Sequence, residues 1–184
     1  MTTGHVFIAT SLDGFIARKN GDISWLLQLD STGEDHGYDK FIANIDVIIM
    51  GRGTYETIKH IQPWFYNRQV IVLSKTLAQE TIPEELIGKV RFVDLSPKEL
   101  MNTLATEGYH RAYIDGGKVV QSFISEGLIC DLIITRVPIL LGAGRPLFGK
   151  IPSDIYLRHL DTKTFDSGFI QSHYEIEQSP RNGE

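Results

Sequence analysis

The chain has 184 residues, ample for one domain with a sizeable core and short for two. Its 42% apolar and 22% charged content is that of an ordinary globular protein, and a net charge of -5 argues against a nucleic-acid groove, which needs clustered Lys and Arg. A single cysteine, Cys130, excludes an internal disulfide and a cysteine-based zinc site.

Residues 5–10 form a β-branched and aromatic run that predicts a buried strand, broken by the turn Ser11-Leu-Asp-Gly14. The strand resumes as Phe15-Ile-Ala17 and turns again at Lys19-Asn-Gly-Asp22. A polar stretch carrying Asp30, Glu34, Asp35 and Asp39 follows Trp25, and the spacing of Tyr38, Phe41, Ile42 and Ile45 predicts a helix over 34–44. A second buried strand, 46–50, ends at Gly51-Arg-Gly-Thr54, before a helix over 55–60 with Thr54 as its cap. A third, 69–73, ends at Ser74-Lys-Thr76, and a fourth covers 89–93. Ser96 and Pro97, with Glu99 behind them, open a helix to 106. Strand 111–115 passes through Gly116-Gly117 into a helix over 118–126. A strand over 132–137, a glycine-rich loop over 138–148 and weakly alternating strands from 155 to 177 complete the chain. Strand–helix alternation with an all-β end predicts an α/β fold in one domain spanning 1–184, its sheet mostly parallel and antiparallel at the C-terminal strands.

Three of these strands end in turns suited to an anion: Gly51-Arg-Gly-Thr54, Ser74-Lys-Thr76 and Gly116-Gly-Lys118. In a parallel sheet all three lie along one edge, where ligands bind. Arg52 offers a forked donor and Lys75 a point charge. The helix after Gly117 presents unpaired N–H groups. Three separate turns suit a large ligand with more than one phosphate. The sequence lacks both the P-loop pattern and G-x-G-x-x-G, which leaves a dinucleotide site without the usual fingerprint.

Ile48-Ile-Met-Gly-Arg-Gly-Thr-Tyr-Glu56 resembles the Met-Gly-Arg-x-Thr segment of dihydrofolate reductases, Val72-Leu-Ser-Lys-Thr76 their next strand end, and Ile114-Asp-Gly-Gly-Lys118 their Gly-Gly phosphate turn. Ser11-Leu-Asp-Gly-Phe-Ile-Ala17 and Pro138-Ile-Leu-Leu-Gly-Ala-Gly-Arg-Pro-Leu-Phe148 bring the chain nearer to one branch of that superfamily. This is the C-terminal reductase domain of the bifunctional riboflavin-biosynthesis deaminase-reductase. The resemblance covers about residues 5–177 and implies the three-layer dihydrofolate reductase-like fold. It also implies an NADPH-dependent oxidoreductase that passes a hydride to a C=N or C=O group of a small heterocyclic or ribosyl-pyrimidine substrate. On this resemblance, Arg52, Ser74, Lys75 and Thr76 hold the adenosine end and its 2′-phosphate, and Gly51 belongs to the same cofactor site. Thr54, Gly116, Gly117, Lys118 and Val119 hold the pyrophosphate, and Ala9 and Ile16 lie against the nicotinamide.

The substrate side is less defined. The Trp-x-Leu-Pro pattern of true dihydrofolate reductases is missing after Trp25, so the substrate carboxylate could be Asp13, Asp30 or Asp35. Dihydrofolate reduction, or cofactor binding without turnover as a sensor, are the alternatives. The six histidines show no metal spacing, and Cys130 sits in an apolar setting that suits a buried, inert thiol. The start lacks the features of a signal peptide and no apolar run nears the ~20 residues of a membrane span, so a cytoplasmic location without membrane or nucleic-acid partners is expected. Edge strands in the tail and Ile139-Leu-Leu141 need cover, which points to a homodimer.

Overall fold

A computed structural model describes residues 1–29, 35–61 and 63–177. The first apolar run becomes β1 (Thr3–Ser11), the strand around which the sheet grows, and the short β2 (Phe15–Ala17) follows its turn. Then come α1 (Ser24–Leu29), α2 (Tyr38–Ala43), β3 (Val47–Gly51), α3 (Arg52–Ile58) and β4 (Gln69–Leu73). Next are β5 (Val90–Val93), α4 (Pro97–Thr106), β6 (Arg111–Asp115), α5 (Gly117–Ser125) and β7 (Ile129–Val137). The chain closes with β8 (Arg145–Pro146), β9 (Leu157–Thr164) and β10 (Ile170–Ile176). Asp30 lies outside the described residues.

Eight strands form one sheet in the order β5-β4-β3-β6-β1-β7-β10-β9. The first six in that order run parallel, and β10 and β9 finish the sheet antiparallel. Continuous apolar runs suit strands covered on both faces, and Val47, Ile48, Ile49 and Met50 have no solvent access. On one face α4 and α5 pack Leu100, Leu104, Val120 and Phe123 against Val6, Ile49, Ile71 and Ile114. On the other, α2 and α3 set Phe41, Ile42, Tyr55 and Ile58 against Ile48, Met50, Val72 and Tyr113. The architecture is therefore helix, sheet, helix, with the antiparallel end expected from the sequence.

Three boundaries differ from the periodicity reading, each for a local reason. The helix after β3 begins at Arg52, because Gly51 is already extended and acts as its cap, so Thr54 lies inside the first turn. Before α2, the Asp35 carboxylate accepts the N–H of Gly37 (2.7 Å), and Gly37 is left-handed at φ 84°, so a turn precedes the helix. The strand expected from 132 starts at Ile129, which puts Cys130 half-buried within β7, its thiol pKa raised by burial and by the charge of Asp131. The glycine-rich loop also contributes β8, which pairs with β2 as a separate two-stranded ribbon.

Candidate active site at the carboxyl edge of the sheet

The strand order places β6 between β1 and β3, so the chain leaves this central region in both directions. Such a switch point opens a crevice at the carboxyl ends of the strands. Two of the anion-suited turns meet there directly. Arg52 Nη1 donates to Thr76 Oγ1 (3.1 Å), joining the end of β3 to the end of β4. Ser74 Oγ and Thr76 Oγ1 are 3.1 Å apart, Ser74 Oγ also accepts the N–H of Leu77 (3.2 Å), and Lys75 is exposed beside them. Arg52 is not free: its Nε holds Glu56 at 2.7 Å.

The third turn joins them through Thr54. Gly116 has φ 90°, and a Cβ there would stand 2.5 Å from Thr54 Oγ1. A Cβ on Gly117 would stand 2.6 Å from the carbonyl oxygen of Pro146 and 3.1 Å from Ile16 Cδ1. The glycines are thus required by how closely α3, β2 and β8 approach the turn after β6. Gly116 supplies no side-chain cap to α5, so the N–H groups of its first turn remain for a ligand. Lys118 is exposed at this end, while Val119 is buried with its methyl 3.0 Å from where a Gly51 Cβ would be. Gly51, Arg52, Thr54, Ser74, Lys75, Thr76 and the 116–119 turn therefore share one edge, and these hydroxyl, cationic and N–H donors fit a phosphorylated dinucleotide. Ile16 reaches the same place from β2, and Ala9 packs farther along β1 with Trp25, Val137 and Phe169.

Asp115, the last residue of β6, immediately precedes this turn. Its side chain keeps slight solvent access, but protein crowds it and desolvation raises its pKa to about 6, against the opposing pull of the Gly116 N–H and the Tyr113 hydroxyl. Three tyrosines surround it. Burial, and secondarily the charge of Asp115, raises Tyr38 to about 12 and pushes Tyr66 and Tyr113 well above the usual tyrosine range. The Tyr113 hydroxyl donates to the Phe7 carbonyl (2.9 Å). Beside Tyr66, with ring centroids 5.6 Å apart, Trp64 buries an indole N–H that has no hydrogen-bond partner among the described residues. A carboxyl balanced near neutrality among aromatic rings can exchange a proton and recognise ring N–H groups.

The other carboxylates are engaged elsewhere. Asp13 accepts from Ser11 Oγ (2.6 Å) and from the N–H groups of Leu141 (3.1 Å) and Gly142 (2.7 Å), and its pKa is lowered, chiefly by Ser11. Asp13 thereby joins the turn after β1 to the glycine-rich loop. Asp35 shapes the turn before α2. Thr135 is buried and accepts from Gln171 Nε2 (2.9 Å), which also donates to the His36 carbonyl. The sequence reading assigned no role to Asp115, because the residue sat inside a motif read for its glycines. An acidic residue closing an otherwise apolar strand was the available signal. A cavity of about 550 Å³ lies elsewhere, lined by Phe7, Lys40, Arg111, Asp131, Gln171 and His173, and includes none of the phosphate-edge turns.

The family and the fold are shared with known proteins. The sequence profile of the RibD C-terminal domain matches residues 3–171. The Bacillus subtilis (strain 168) protein YwjB, uncharacterized, is 34% identical over 92% of this chain and 95% of its own length. A crystal structure of a provisionally named riboflavin biosynthesis protein from Shewanella sp. PV-4 superposes with a TM-score of 0.89 at 34% identity, covering 96% of this chain and all of that one. The deaminase/5-amino-6-(5-phosphoribosylamino)uracil reductase of Thermotoga maritima shares the fold, with a TM-score of 0.75 at 14% identity, over 96% of this chain and 57% of that larger chain.

Proposed function

The chain belongs to the family of RibD C-terminal domains, and from that premise we propose that it is an NADPH-dependent reductase of a C=N or C=O group in a small ring-containing, ribosyl-pyrimidine-like compound. One observation carries this reading: the contacts Arg52–Thr76 and Thr54–Gly116 bring three anion-suited turns to a single edge, directly beside a buried carboxyl. When bound, NADPH supplies the hydride. Arg52, with Ser74, Lys75 and Thr76, holds the 2′-phosphate, and Thr54 with the first turn of α5 holds the diphosphate. Ile16 and Ala9 flank the nicotinamide. Asp115 holds a proton on its carboxyl below about pH 6 and delivers it to the substrate heteroatom whose neighbouring carbon is reduced. Tyr38, Tyr66 and Tyr113 exclude water from that carboxyl and keep its proton.

The homodimer belongs to the same reading. All eight residues of the edge strand β9 are exposed, including Leu157 and Leu160, and a second copy would cover them. The test is a titration of the protein with NADPH, followed by turnover on 5-amino-6-(5-phosphoribosylamino)uracil and on dihydrofolate. Saturable binding with oxidation of NADPH by the aminouracil is expected. Ordinary turnover on dihydrofolate alone would reassign the substrate, and binding without turnover on either would make the protein a cofactor sensor.

A further inference from the structure

We propose that Arg145 is a clamp for the cofactor diphosphate, brought to the site by the glycine-rich loop. The inference rests on the NADPH reading above and extends it to a residue outside the three turns. The Arg145 guanidinium lies between two glycines from separate turns. A Cβ on Gly21 would stand 3.1 Å from Nη2 and 3.3 Å from Nη1, and one on Gly53 would stand 3.4 Å from Nη1. Both turns thus lack a side chain where the guanidinium passes. One of them is the Arg52-Gly53-Thr54 turn of the phosphate edge.

Among the described residues no carboxylate pairs with Arg145. Arg18, Arg52, Arg91 and Arg158 each pair with a carboxylate, of Asp22, Glu56, Glu107 and Glu175 respectively. Arg145 meets none among the described residues, and its one hydrogen bond is a long 3.4 Å contact from Nε to the Lys19 carbonyl. A guanidinium held at the start of α3 without a paired carboxylate is a ready partner for an anion bound there.

The backbone position narrows which anion. Arg145 pairs with Ala17 in the β2–β8 ribbon, and the next carbonyl, of Pro146, lies against Gly117 at the start of α5. The side chain therefore reaches the start of α3 while its backbone neighbour touches the start of α5. The diphosphate is the part of the cofactor that must bridge those two points, and a planar fork suits its oxygens. Binding it would also hold the β2–β8 ribbon, with Ile16, over the nicotinamide end.

The test compares two ligands by equilibrium titration, following NADPH by its fluorescence. NADPH carries a 2′-phosphate and a diphosphate, and adenosine 2′-phosphate carries only the former. Arg145→Ala should raise the Kd for NADPH about tenfold or more, leave that for adenosine 2′-phosphate within about twofold, and flatten the salt dependence of NADPH binding. Arg145→Lys should recover part of the loss, as a point charge without the fork, and with Arg145→Gln it carries the comparison if the alanine variant does not fold. An unchanged NADPH Kd would overturn the clamp while leaving the NADPH reading intact. Equal weakening of both ligands would overturn it too, because Arg145 would then act through the shape of the site. Wild-type protein that binds no NADPH would remove the cofactor reading and the clamp together.

Discussion

The two halves of the candidate site are built on opposite plans. The phosphate edge is made of exposed groups on turns, with Arg52 and Glu56 52% and 41% exposed. The substrate side is made of buried and half-buried aromatic rings around one carboxyl, with Tyr113 only 6% exposed. Charges in water interact weakly and are screened by salt, whereas a carboxyl removed from water responds to burial first and to charges second. The cofactor half should therefore be sensitive to ionic strength, and the substrate half to pH. Each prediction below tests one side of that division.

The largest effect should follow from Asp115→Asn. Loss of a positioned proton donor should cut kcat on the ring substrate by roughly 100-fold or more, with NADPH affinity little changed. In the wild type, kcat should fall as pH rises above about 6, where Asp115 loses its proton. Stability should move the other way from activity in the variant. The folded carboxyl holds its proton up to about 6 and the unfolded one only to 3.8, so between these values the native state binds more protons and wild-type stability falls as pH rises. The penalty is then constant above pH 6. Asp115→Asn should be more stable than wild type at pH 8 by about 3 kcal/mol, with the gain shrinking to nothing below about pH 4. Thermal unfolding at three pH values reads this directly. A pH-independent difference would remove Asp115 from the desolvated class and erase the contrast between the halves.

Next in size is Arg52→Ala. It should weaken NADPH about tenfold or more and leave NADH nearly unchanged, because only the former carries the 2′-phosphate. The loss should diminish in high salt, as befits a half-exposed pair. Since Arg52 already holds Glu56, part of its charge is shared in the free protein, which keeps the effect below that of a buried pair. Equal weakening of NADPH and NADH would deny Arg52 its phosphate role.

The same division explains what could be read from the sequence. Phosphate-edge residues are close together in the chain, at 51–54, 74–76 and 116–119, and each group ends an apolar strand. Periodicity then places them on one edge, because a parallel sheet gives all its strands the same direction. The layers and the antiparallel finish were legible for the same reason, from long apolar runs followed by alternating ones. The aromatic pocket is assembled from Tyr38, Tyr66, Tyr113 and Asp115, which come from a helix start, an irregular segment and one strand. No local pattern joins them, and Asp115 acquires its raised pKa only when the sheet and α2 close over it. Arg145 shows the same limit. It stood in a recognisable loop motif, but its place between Gly21 and Gly53 depends on the β2–β8 pairing, which periodicity does not reveal.

Asp13 gives the smallest and most selective test, because it joins the turn after β1 to the loop that carries Arg145. It was a substrate candidate from its motif, yet its carboxylate already takes three hydrogen bonds, from Ser11, Leu141 and Gly142. If its work is to hold the glycine-rich loop against the turn after β1, Asp13→Ala should lower the unfolding temperature by a few degrees. Its lowered pKa sets the pH dependence: the stabilisation is complete above the ordinary carboxylate value of 3.8 and is lost as pH falls through the lower folded value. Because the loop carries Arg145 as well as Leu141 and Gly142, the same variant should weaken NADPH a little while leaving the pH profile of turnover unchanged. A shifted pH profile with normal stability would instead make Asp13 a substrate ligand. The proton-exchanging role would then have to be shared between Asp13 and Asp115.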